Sequence, residues 1–360
     1  MKIHHIINSY SDKLGGAEIL VRSIHKHLIQ DDFKSSIFGL LKCSDDINDA
    51  QTANLETPYS FRAFSAIKNY CINNVSDQDI IHAHLFPANF FCSIIKILGF
   101  TNAKLITTEH STYNRRRGKF WGKIIDKIIY KSYDHIISIS NGTKKKLIEW
   151  LPETKNRIIV IKNGCALKHK KPIIREKNKS TIKLVSVGAL KTAKNYELTI
   201  KSIIHIKDLD FKWTIAGDGA LRNKLNKEIE KLGLIDKIKF IGRVDPIWTL
   251  LEQSDIFIIT SIWEGFGMAA VEAMNSTLPI VASDIPGLKE IVGFEESKCA
   301  LFVNPLDDYD ISNKIKELIL SHDLRIKLGI NGFSLSNNFK ISKMLNEYTK
   351  LYKNLMKAHN

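Results

Sequence analysis

Two carboxylates, Glu264 and Glu272, bracket a glycine-rich turn in the stretch Ser261-Ile-Trp-Glu-Gly-Phe-Gly-Met-Ala-Ala-Val-Glu272. An apolar run over residues 255–260 comes directly before it, and the turn Gly265-Phe266-Gly267-Met268 is predicted to open a helix. A helix N-terminus carries unpaired N–H groups and the positive end of a dipole, so it suits a phosphate. Carboxylates repel a phosphate but accept hydrogen bonds from hydroxyls. One turn can therefore hold a phosphate on its backbone and hydroxyls on its two Glu side chains. A second apolar run, 278–282, follows, so the turn falls at the crevice where open α/β sheets bind ligands.

Other segments carry chemistry of the same kind. Gly15-Gly16-Ala-Glu18 follows the first apolar run and begins a helix, where two glycines allow close backbone approach to a phosphate. Gly188 is followed by Ala189, Lys191, Lys194 and Asn195. Gly217-Asp-Gly219 and Gly242-Arg243-Val244 each end an apolar run, as does Asn163-Gly164. His82-Ala-His84 and His110 stand at strand ends, which point at the crevice in such sheets, and a lone His there more often packs or faces solvent, as is expected of His82. No carboxylate stands at ligand spacing from the His82/His84 pair, so no metal is expected. The dinucleotide fingerprint Gly-x-Gly-x-x-Gly is absent.

The elements that must position these residues alternate regularly. Strands are predicted at 3–7, 34–40, 80–83, 104–108, 135–138 and 158–161, then at 183–187, 212–216, 238–241, 256–260, 280–282 and 300–303. Helices fall between them, including 16–30, 142–150, 195–206, 221–232, 246–251 and 309–321. Such alternation predicts an α/β chain with two doubly wound parallel sheets. The charged run 167–181 reads as a linker between domains 1–166 and 182–339. Ile341, Met344, Leu345, Tyr348, Leu351, Tyr352, Leu355 and Met356 form one stripe of a final helix, 340–360.

Together these segments resemble the retaining glycosyltransferases of family 4, whose signature is Glu, seven residues, Glu. The resemblance covers nearly all of 1–355 and is strongest over 183–293. It implies the GT-B fold, two facing Rossmann-like domains with the C-terminal helix crossing back to the first. It implies transfer of a hexosyl unit from a nucleoside diphosphate sugar, a UDP-sugar first among them, without a cofactor or metal. Glu272 would bind ribose hydroxyls and Glu264 those of the transferred sugar, with His110 beside that sugar. Lys194, the backbone N–H groups of Gly267 and Met268, and Gly16 would stabilise the departing diphosphate, and Gly15, Gly188, Gly217, Gly265 and Phe266 would line the rest of the donor site. Arg243 and Val244 would meet the nucleobase, and Asp284 and Gly287 would shape the wall behind the phosphates. Ala189 departs from the family, which has Arg there, so one of two diphosphate cations is missing.

The chain has 360 residues and a formal net charge of +15. Residues 110–171 hold 16 Lys+Arg against 4 Asp+Glu, so the basic character is concentrated there. Arg115, Arg116, Arg117, Lys119 and Trp121 open a basic, aromatic helix suited to an anionic inner-membrane surface or a lipid-linked saccharide acceptor. Five scattered cysteines give no disulfide or zinc pattern, and no apolar run is long enough for a membrane span. A peripheral enzyme of the cytoplasmic face, in O-antigen or capsule synthesis, follows from these features and the resemblance. A sugar-nucleotide epimerase on the same fold is the alternative. Nucleic-acid binding has only the basic pI behind it, with no matching motif.

Overall fold

A computed structural model describes residues 1–11, 15–43, 45–114, 116–177, 180–293 and 297–357. The described residues form two units, Met1–Asn163 with Ser342–Asn360, and Gly164–Ile341.

The first unit contains β1 (Ile3–Ile7), α1 (Gly16–Gln30), β2 (Ser35–Leu41), β3 (Ala50–Leu55), α2 (Phe61–Asn74) and β4 (Ile80–His84). It continues with α3 (Ala88–Ile97), β5 (Lys104–Glu109), α4 (Phe120–Lys131), β6 (His135–Ser138), α5 (Asn141–Trp150) and β7 (Ile158–Val160). Its seven strands pair in parallel in the order β3-β2-β1-β4-β5-β6-β7. All residues of β1 and β4 are buried, as both faces of a parallel sheet must be covered. The edge strand β3, Ala-Gln-Thr-Ala-Asn-Leu, is half exposed and lacks apolar alternation, so its sequence gives no strand signal.

The second unit contains β8 (Ile182–Val187), α6 (Tyr196–Ser202), β9 (Phe211–Ala216), α7 (Arg222–Lys231), β10 (Ile238–Gly242) and α8 (Trp248–Glu252). It goes on through β11 (Ile256–Ile259), α9 (Met268–Asn275), β12 (Ile280–Ser283), α10 (Pro286–Val292), β13 (Ala300–Val303), α11 (Asp308–Leu320) and α12 (His322–Ser336). Six parallel strands run in the order β10-β9-β8-β11-β12-β13. Both sheets reverse their order beside the first strand, the arrangement that opens a crevice at the strand C-termini.

The final helix, α13 (Ile341–Lys357), belongs from Ser342 onward to the first unit. Its stripe of Met344, Leu345, Tyr348, Leu351, Tyr352 and Leu355 is buried. Tyr352 Oη meets His82 Nδ1 at 2.7 Å, and Lys104 Nζ donates to the Leu355 carbonyl at 2.8 Å.

The division between the units falls after Asn163, ahead of the expected linker 167–181. That run packs on the second unit because Arg175 is tied down. Its guanidinium donates to the carbonyls of Ser254 (2.7 Å), Thr277 (2.9 Å), Ser276 (2.8 Å) and Leu251 (3.3 Å). The His169 and Ile173 amides are likewise held by Asn275 and Thr277.

Candidate active site

In the second unit the site is built at the strand ends of β8, β9, β10 and β11. Leaving β11, the chain places Ser261, fully buried, so that its hydroxyl donates to Glu264 Oε1 at 2.9 Å. Lys194 Nζ pairs with the same oxygen. Lys194 ends a short 3₁₀ turn, and its side chain lies across Gly188, where an added Cβ would stand 3.1 Å from Lys194 Cε. The backbone behind Glu264 is fixed by α10. A Cβ on Gly287 would fall 2.4 Å from the Glu264 carbonyl oxygen, so only glycine lets α10 approach this closely. α10 starts with proline, whose fixed φ suits a first helical turn.

Gly267 is the N-cap of α9, at φ +91, a left-handed conformation natural to glycine. No side chain caps that end, so the first N–H groups of α9 are available to a ligand. Phe266 is buried edge-on against Phe339 and anchors the turn, and Met268 follows with its sulfur near Cys165 Sγ. Glu272 lies one turn further along α9. Burial, with a contribution from Asp245, raises its carboxyl to about 7.

Gly188, Gly217 and Gly242 draw three strand ends together. The Gly217 amide donates to Gly242 O at 2.7 Å, and a Cβ on Gly217 would lie 1.9 Å from Gly188 O. Arg243, exposed, and Val244, half-buried, follow directly. Ala189 is half-buried and Lys191 exposed, while Asp284 forms an exposed pair with Lys289.

In the first unit Gly15 is the N-cap of α1 and Gly16 its first residue. His110, half-buried after β5, has its ring nitrogen Nε2 at 3.4 Å from His84 Nδ1, and burial lowers its pKa to about 4. His5, His82 and His84 are fully buried and bring one ring nitrogen each within 4.8 Å of one another, a set with the donor types of a metal site. Both nitrogens of His82 and of His84 already have partners, whereas on His5 only Nδ1 does. His82 is bonded to Tyr352 Oη and Thr108 Oγ1, and His84 to His5 and His110.

The basic segment divides into two parts. Arg115 lies outside the described residues. Arg116 and Arg117 are turned to internal work, since neither guanidinium can be buried without a partner. Arg116 Nε donates to the buried Asp126 at 2.7 Å, and its guanidinium stacks 4.0 Å from the Phe86 ring. Arg117 donates to Thr112 O and faces Glu109 at 3.6 Å. Lys119 and Trp121 are exposed on α4, together with Phe120 (86% exposed), Ile124 and Ile128. Lys119, Lys123 and Lys127 flank these apolar side chains beside an open groove of about 420 Å³.

Residues 14–169 match Glycosyltransferase Family 4, and residues 168–334 match Glycosyl transferases group 1. Together the two matches span nearly the whole chain, Glu264 and Glu272 included. The chain is a family 4 glycosyltransferase. Among relatives of this glycosyltransferase is the O-antigen biosynthesis glycosyltransferase WclY of Escherichia coli, 24% identical over 371 residues and 99% of each chain. A second is the Campylobacter jejuni α-1,4-N-acetyl-D-galactosaminyltransferase that acts on a GalNAc-GalNAc-diNAcBac-diphosphoundecaprenol. It is 25% identical over 295 residues, 81% of this chain and 78% of that one. The Anabaena protein HepE, solved with UDP-glucose, superposes with a TM-score of 0.81 over 98% of this chain and all of its own, at 16% identity. The fold is thus GT-B.

Within this glycosyltransferase, several contributors to the site leave no local sequence signal. Ser261 and Asp245 act on Glu264 and Glu272 through space, and His5 reaches His84 only through the pairing of β1 with β4. Asp245 and Glu272 also set a pH dependence. A carboxyl raised from 4.5 to about 7 binds a proton more tightly folded than unfolded, so its stabilising contribution is present at low pH and is lost as pH rises through about 7. Glu272→Gln is therefore expected to gain melting temperature relative to the parent as pH rises from 5 to 8. A constant difference across that range, in thermal melts, would show that Glu272 titrates normally.

Proposed function

We propose that this glycosyltransferase moves a hexosyl unit, with retention, from a UDP-sugar to a hydroxyl of a lipid-linked saccharide in surface-polysaccharide synthesis. The observation that carries the reading is the Ser261–Glu264–Lys194 constellation at the open N-terminus of α9, with Glu272 one turn on. The α9 amides and Lys194 take the diphosphate, Glu264 the sugar hydroxyls and Glu272 the ribose. His110, held neutral by burial, offers a hydrogen bond to the sugar without adding charge. As the sugar–phosphate bond breaks, negative charge builds on the diphosphate, and preorganised cations and N–H groups lower that barrier. The acceptor hydroxyl attacks on the face the diphosphate leaves, and a phosphate oxygen takes its proton. This chemistry needs no divalent metal.

The WclY and Campylobacter relatives support a surface-saccharide acceptor, and HepE supports a UDP-sugar donor. The exposed Phe120, Trp121 and Ile124 flanked by lysines suit the anionic inner leaflet of the plasma membrane. Among the described residues no helix is long and apolar enough to cross a membrane.

Purified enzyme given UDP-Glc, UDP-Gal, UDP-GlcNAc or a GDP-sugar, with diphosphoundecaprenol-linked saccharides, should form an α-linked product in EDTA from one of the UDP-sugars and not from the GDP-sugar. Inverted product, or epimerised nucleotide sugar released without acceptor, would overturn the reading. Flotation with anionic vesicles should retain the parent enzyme at low salt and release Lys119→Glu/Trp121→Ser. Equal flotation of both proteins would remove α4 from the membrane contact.

A further inference from the structure

His5 and His82 are register partners across β1 and β4, and His84 is two residues further along the same face. His5 Nδ1 lies 3.2 Å from His84 Nε2, and His84 Nδ1 lies 3.4 Å from His110 Nε2. Three imidazoles thus form a chain from the buried centre of the sheet to the half-buried ring of His110.

Burial lowers the proton affinity of all three rings, so each is neutral at physiological pH. A neutral imidazole has one N–H and one lone pair. His84 uses both nitrogens, so its single proton faces one neighbour and its lone pair the other. The tautomer of one ring therefore fixes the tautomers of the other two. The inner end sets the direction. His5 Nε2 is buried and has no hydrogen-bond partner among the described residues. With the protons running outward, that atom is a bare lone pair. With them running inward, it is a bare N–H, and orphaned buried N–H groups are the rarer kind.

We propose that His84 is a positioning residue: its Nδ1–H donates to His110 Nε2 and holds His110 as the Nδ1–H tautomer, a fixed donor toward a sugar oxygen. The proposal rests on the reading that His110 meets the transferred sugar, but the tautomer can be read without activity. His82, anchored to Tyr352 and Thr108, lies outside the chain and serves as its side wall.

The test is long-range proton–nitrogen NMR on enzyme labelled with ¹⁵N-histidine, with His110→Gln assigning the His110 ring. The parent enzyme should carry the His110 proton on Nδ1. His84→Asn keeps a donor near the position of Nδ1 and should preserve that state. His84→Leu should give mixed tautomers and lower kcat/KM by about tenfold, the loss of one oriented hydrogen bond. A proton on Nε2 in the parent enzyme, or an unchanged His110 signal in His84→Leu, overturns the proposal. Stoichiometric zinc uptake by the parent enzyme with loss of these N–H signals also overturns it. Expected tautomers with no glycosyl transfer would count against the functional reading alone.

Discussion

Lys194→Ala should lower turnover by about 10²–10³-fold, the usual consequence of losing one preorganised stabiliser of developing charge. The expectation is sharpened by residue 189, an alanine that supplies no second cation beside Lys194. Lys194 also pairs with Glu264, so its removal takes one partner from that carboxylate as well. Glu264→Gln separates the two effects. If Lys194 acts on the diphosphate, Lys194→Ala should weaken UDP binding in calorimetry, while Glu264→Gln leaves UDP binding nearly intact and impairs use of the sugar. Ala189→Arg should hold or improve UDP affinity. A Lys194→Ala enzyme that binds and turns over like its parent would move the role to Lys191 or Arg243, both of which are exposed.

The largest stability loss is expected from a residue with no part in the chemistry. Arg175→Ala removes a guanidinium that serves four backbone carbonyls, those of Leu251, Ser254, Ser276 and Thr277. Hydrogen bonds from a charged donor are stronger than neutral ones, and stranded acceptors add a desolvation cost, so about 3 kcal/mol should be lost. Urea unfolding, followed by a probe in the second unit such as the buried Trp213, reads this directly. Arg175→Lys should recover only part of the loss, since an ammonium cannot span carbonyls arranged for a planar fork. An unchanged midpoint for Arg175→Ala would mean that the run 167–181 is tied down by other contacts.

The elements that the sequence disclosed best are those whose signal is local. The central strands are unbroken apolar runs, and Glu264 and Glu272 sit on one turn and the helix that follows it. Residues whose partners lie far away in sequence were opaque. Arg116 looks like a lipid-facing cation until Asp126, ten positions on, is folded beneath it. Arg175 looks like linker until the carbonyls around residues 251–277 surround it. The pairing of His5 with His84 depends on strand register, which neither residue type nor spacing announces.

The return of α13 sets an order of events during synthesis. Residues 1–163 are made before the segment 342–357, so their sheet lacks Tyr348 and Tyr352 until that helix is synthesised. The segment 164–341 emerges entire before that and can complete its own core. The half of the protein made first is therefore the half finished last, and until then the nascent chain carries an uncovered apolar strip over His82. A stop codon near residue 340 would leave the second unit sound and its older neighbour permanently incomplete.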